Sequence, residues 1–137
     1  FPTSNIESDQ RLSEYQTYYR SIRAVMDRYP NKIFIVVTPP PNVPPETNSR
    51  NAARARTWAN WLKSPEFLSG HASRNIFTFD FFNLLAESNS TARDYNMLRA
   101  GYRADPNDSH PNEPANRAIG PQFADFIHQA IKTYTLK

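Results

Sequence analysis

Residues 33–41 read Ile33-Phe34-Ile35-Val36-Val37-Thr38-Pro39-Pro40-Pro41. The run is short, β-branched and apolar at successive positions. Both of its faces therefore need cover, as in a strand of a parallel sheet. Proline cannot donate to a sheet ladder, so the strand ends at Thr38, and Pro44-Pro45 carry the chain on as a loop to about Thr47.

N-terminal to this strand, the apolar positions Leu12, Tyr15, Tyr18 or Tyr19, Ile22, Val25, Met26 and Tyr29 follow the i, i+3, i+4, i+7 spacing of an amphipathic helix over about Asp9–Tyr29. Ser8 is its N-cap, Pro30-Asn31 stop it, and residues 1–7 read as an extended lead-in. On the other side, Ala52, Ala55, Trp58, Ala59 and Leu62 form the stripe of a helix over Ser49–Leu62, which closes at Ser64-Pro65 with a short turn holding Phe67 and Leu68. Of Trp58 and Trp61, one is expected in the core and the other over the loop. A loop at 70–75 leads to a second buried strand, Asn75-Ile76-Phe77-Thr78-Phe79-Asp80, and a short apolar segment from Phe81 to Leu85. After a polar loop at 88–94, Tyr95–Leu98 reads as a short strand or an irregular piece on the core. A loop rich in Asp, Asn and Pro spans Ala100–His110. A last helix over about Glu113–Tyr134 carries Ala115, Ile119, Phe123, Phe126, Ile127, Ala130, Ile131 and Tyr134 on one stripe.

This order of helix, strand, helix, strand, loop and helix implies β-α-β crossovers. The expected fold is α/β, a three-layer flavodoxin-like parallel sheet with helices on both faces, in a single domain over 1–137. Only two strands are legible. A sheet that small leaves its edges unpaired, so the fold reads as incomplete in this chain, its edge covered by a missing N-terminal stretch or a partner chain.

Composition narrows the function. The chain has 137 residues, of which 39% are apolar and 13% aromatic, enough for one packed domain and unlike a disordered chain. Lys and Arg total 16 against 13 Asp and Glu, a net charge of +3. The basic residues (Arg20, Arg23, Arg28, Arg50, Arg54 and Arg56) are spread along helices, which reads as solvated faces and not a nucleic-acid stripe. The apolar run at 33–37 is far too short to span a membrane. Cysteine is absent, excluding disulfides and Cys-based zinc sites; His71, His110 and His128 are too dispersed for a metal site, and no cofactor is expected. Three glycines against 12 prolines disfavour a glycine-rich phosphate loop. The chain opens on Phe1 with no leader-like segment, as expected of a processed product or a fragment.

Candidate chemistry concentrates in Asp105-Pro106-Asn107-Asp108-Ser109-His110-Pro111-Asn112, just before the last helix. In open α/β sheets ligands sit beyond the carboxyl ends of the strands, where such loops gather. A carboxylate accepting from one imidazole nitrogen leaves the other free to take a proton from a nucleophile. Asn112 is placed to cap the helix, and Pro111 stiffens the approach. The plainer reading is a capped helix start with a surface histidine. Other candidates carry less. Ser69-Gly70-His71 lacks the strand-turn-helix elbow of a serine nucleophile, Ser109 should diverge from its neighbour His110, and His128 faces the polar side of its helix. Asp80 could line the site or cap a helix. The sequons at Asn89 and Asn107 matter only in a secretory eukaryotic setting.

The segment Asp108-Ser109-His110-Pro111-Asn112, followed by Ala115-Asn116 and an amphipathic helix, resembles the last block of the SGNH (GDSL-type) hydrolases, in which an Asp and a His followed by Pro precede the final helix. The strand at 33–37 with its proline loop is similar to a strand of the same family, and the resemblance covers the C-terminal portion of that fold. It implies a serine esterase or acylhydrolase acting on a small ester or an acylated carbohydrate, in a secreted or periplasmic setting, with His110 as base and Asp108 or Asp105 as its acid. The family spaces its acid three residues before the His, a position held here by Asn107; Asp108 lies two before and Asp105 five before. The family's Gly-Asp-Ser block and its oxyanion donors have no counterpart in the chain, so the resemblance implies a nucleophile outside it and an inactive chain on its own. The alternative is a degenerate site on a fold retained as a binding or structural module.

Overall fold

The computed structural model describes residues 4–72 and 74–135. Residues 1–3 of the extended lead-in and position 73 of the 70–75 loop lie outside the described residues. The order is α1 (Asp9–Met26), β1 (Phe34–Val37), α2 (Ser49–Leu62), β2 (Ile76–Phe79), α3 (Phe81–Leu85) and α4 (Glu113–Thr135), with 3-10 turns at Pro44–Glu46 and Ala100–Tyr102. The fold is mixed α/β, about half helical, with a parallel two-stranded sheet among the described residues.

Local chemistry sets most boundaries. The Ser8 hydroxyl accepts from Arg11 N at 3.1 Å and opens α1. Asn48 Oδ1 accepts from Arg50 N and Asn51 N and opens α2. Asn75 is buried at the entry to β2, and its amide donates to Tyr29 O and Lys32 O, tying this turn to the end of α1. Thr38, fully buried at the end of β1, accepts from Phe82 N at 2.8 Å. That bond, with Asp80 accepting from Asn83 N, turns the apolar segment after β2 into the short helix α3.

In the sheet Phe34 pairs with Ile76 and Val37 with Phe79. Side chains alternate between two clusters. Phe34, Val36 and Ile76 join Ile6, Trp58, Leu62, Phe67 and Phe82 on the side covered by α1 and α2. Ile35 and Phe79 join Val43, Leu85, Leu98, Ile119, Phe123 and Phe126 on the side of α4. Phe34 N donates to Asn75 O and Thr38 N to Phe79 O, so these residues and Val36 point their amides at β2. In a parallel ladder the intervening residues, Ile35 and Val37, then direct theirs outward. Val37 remains 42% exposed.

Several expectations change. Helix α1 ends at Met26, not Tyr29, and has no fully buried residue; Tyr19 packs edge-on against Trp58 at 5.2 Å while Tyr18, Val25 and Tyr29 are exposed. A lone helix layered on α2 half-buries a stripe and no more. Trp58 and Trp61 are both buried, because Phe67 folds back to 5.1 Å from Trp61 and closes its outer side. Tyr95–Leu98 is the irregular alternative; Leu98 makes an isolated bridge with Ala86, and Met97 and Leu98 are buried. Arg20 and Arg54 are not merely solvated, since they pair with Glu66 and Asp9 at 2.6 Å each.

Candidate functional site: the loop entering the last helix

The loop from 103 to 111 is closed at its base. Arg103 and Pro111 form an antiparallel bridge, and Asn112 N donates to Tyr102 O at 2.9 Å. The Asn112 amide donates to Gly101 O (3.1 Å) and Arg103 O (3.0 Å), while its Oδ1 accepts from Ala115 N (3.0 Å). One side chain thus fastens the loop and caps α4. Arg103 adds a bond to Leu98 O and an ion pair with Asp94 at 2.5 Å.

At the tip, Asp105 Oδ1 accepts from Asn107 N at 2.8 Å, and Asp108 N donates to Asp105 O. Asp105 therefore shapes a turn, and its carboxylate makes no bond to His110. Asp108 does. Its Oδ1 accepts from His110 N at 2.9 Å and lies 2.5 Å from His110 Nδ1. The first bond is an Asx turn, in which a carboxylate caps the amide two residues on. That turn folds the imidazole onto the same oxygen. A spacing of two residues therefore suffices to join acid and ring. The signal was in the sequence as Asp-x-His, where the turn propensity of Asp could have been read.

Ionised Asp108 can only accept, so the Nδ1 proton lies toward it and Nε2 carries the lone pair of the neutral ring. The His110 amide, then its ring, holds the Asp108 carboxyl below its ordinary value. The His110 side chain is 92% exposed, and its Nε2 has no partner among the described residues. The arrangement can accept a proton from a group brought to the surface.

Ser109 points the other way. Its hydroxyl accepts from Val43 N at 3.0 Å and donates to the Glu46 carboxylate. With its proton committed to Glu46, it is no free nucleophile. His71 is engaged elsewhere: its Nδ1 pairs with Asp27 at the end of α1, and the ring is buried. Asp80 caps α3 and pairs with Lys63. His128 is exposed on α4.

Comparison with family models, curated proteins and solved structures finds no match to this chain. Beside the carboxyl ends of the strands lies an apolar cavity of about 290 Å³, lined by Val37, Phe79, Phe81, Asn116, Ile119, Gly120 and Phe123. It runs along the first turns of α4, the helix that the His110 loop enters. A more polar depression of about 710 Å³, lined by Pro44, Thr47, Asn48, Ser49, Arg93, Asp94 and Met97, borders the loop that carries Glu46. Among the described residues no cluster of His, Asp and Glu could hold a metal ion, and no helix is long and apolar enough to cross a membrane.

Proposed function

We propose that the chain is the C-terminal portion of an SGNH-like serine esterase or acylhydrolase domain, supplying His110 as general base and Asp108 as the acid that orients it. The observation that carries this reading is the 2.5 Å pairing of Asp108 with His110 Nδ1 on a loop capped into the last helix of an α/β order. The nucleophilic serine lies on a segment outside this chain. Its hydroxyl attacks the acyl carbonyl of a small ester or acylated sugar while Nε2 of His110 takes the proton. The imidazolium, stabilised by Asp108, returns that proton to the leaving alkoxide, and water repeats the cycle on the acyl-enzyme.

The same reading completes the fold as a three-layer flavodoxin-like sheet. The outward amides of Ile35 and Val37 and the apolar cavity between β1 and α4 support a further strand, from an N-terminal segment or a partner chain, beside β1.

The test is ester hydrolysis by a polypeptide extended N-terminally to include the nucleophile. His110→Ala should lower kcat by about 10³-fold or more, and this chain by itself should be inactive. Undiminished turnover in His110→Ala defeats the assignment. The exposure of the His110 ring favours a second reading, a degenerate site on a binding module. Under that reading a serine-directed phosphonate leaves the extended protein unlabelled.

A further inference from the structure

Within 104–110 most hydrogen bonds stay inside the segment, running from Asn107 and Asp108 to Asp105 and from His110 to Asp108. Ser109 reaches out. Its hydroxyl takes the amide of fully buried Val43 and gives its proton to Glu46, whose Oε2 also accepts from Asn42 Nδ2 at 3.2 Å. Asn42 is itself fixed, since its carbonyl accepts from Leu98 N at 2.9 Å. The loop after β1 therefore grips the residue between Asp108 and His110. An imidazole this exposed has little packing to orient it, so its direction follows from its backbone, and that backbone is held at Ser109.

We propose that Ser109 and Glu46 are positioning residues for the Asp108–His110 pair. The clamp keeps the Asx turn formed, which keeps the Nδ1 proton of His110 directed at the Asp108 carboxylate and leaves Nε2 as the free base. Resting on the reading of His110 as base, this adds two residues that do not touch substrate.

The experiment is long-range ¹H–¹⁵N correlation of the His110 ring in this chain, on the alkaline side of its observed titration, so that the ring reports its tautomer. The wild-type ring should show one tautomer, protonated at Nδ1. Ser109→Ala and Glu46→Ala should shift it toward the mixture of free imidazole, and Ser109→Thr, which keeps the hydroxyl, should restore it. In an N-terminally extended active protein Glu46→Ala should lower kcat by up to about 10²-fold with KM unchanged. Folded Ser109→Ala and Glu46→Ala proteins that keep the wild-type tautomer overturn the clamp and leave the base assignment standing. A wild-type ring without the Nδ1 tautomer overturns both. Should Ser109→Ala fail to fold, Glu46→Ala, which removes an exposed carboxylate, decides alone.

Discussion

Asn112→Ala removes the fastening of the His110 loop, and its cost follows from the bonds it breaks. The Asn112 carbonyl caps α4 through Ala115 N at 3.0 Å, and loss of such a cap costs about 1 kcal/mol. Its amide makes bonds of 3.1 and 3.0 Å to Gly101 O and Arg103 O, each contributing about 0.5–1 kcal/mol net at a half-buried position. Together these give a loss of about 2–3 kcal/mol, a substantial share of the roughly 5–15 kcal/mol that holds a domain folded. The midpoint of thermal unfolding should fall by roughly 10 °C. Urea unfolding should show a lower midpoint at constant m-value, because the surface exposed on unfolding hardly changes. Asn112→Ser keeps a capping oxygen but lacks the amide donors, so it should recover about 1 kcal/mol of the loss. A cost under about 0.5 kcal/mol for Asn112→Ala, the range of an ordinary surface substitution, would show that these bonds do not fasten the loop. An Asn112→Ser protein no more stable than Asn112→Ala would show that the cap contributes nothing.

Asp108 should titrate below the ordinary carboxyl value by ¹³C NMR. Because its folded pKa is depressed, the stability it contributes is present above the unfolded pKa and is lost as pH falls through the folded one; the loop should thus stay ordered at mildly acidic pH, and a raised pKa would contradict the His110 bonds. Asp108→Ala should abolish the tautomer preference of His110 while Asp105→Asn leaves it intact, which separates the two candidate acids by ring ¹⁵N shifts; the reverse result would make Asp105 the partner. Trp58→Ala removes an α2 indole that is fully buried against α1, tilted to Tyr15 and edge-on to Tyr19, and calorimetry should show a loss of about 3–5 kcal/mol; a loss below about 1 kcal/mol would mean the cluster is not the core.

Much of the scaffold was legible because its signals are local. The Ser49–Leu62 helix has the limits read from its stripe, Ser8 caps the first helix as read, and Pro39 marks where β1 has ended. Contacts distant in sequence were not legible. Nothing in the Trp58-x-x-Trp61 spacing says that Phe67 will cover the second indole, and nothing near Phe82 says that Thr38 will accept its amide. Each depends on which element arrives opposite, and single-sequence periodicity carries no such information.

The candidate site divides along the same line. That Asp, Ser, His, Pro and a capping Asn meet at the start of a helix was legible in the sequence, because turn and cap propensities act within a few residues. The sequence left Asp105 and Asp108 open as partners of His110, and it gave no hint of Glu46. In the folded chain Asp108 closes on the ring while Asp105 closes on Asn107. Folding also brings Glu46, 63 residues away, to Ser109. The physical reason is range: an Asx turn is satisfied within its own few residues, whereas a bond between two loops exists only once β1, β2 and α4 have packed and set those loops side by side.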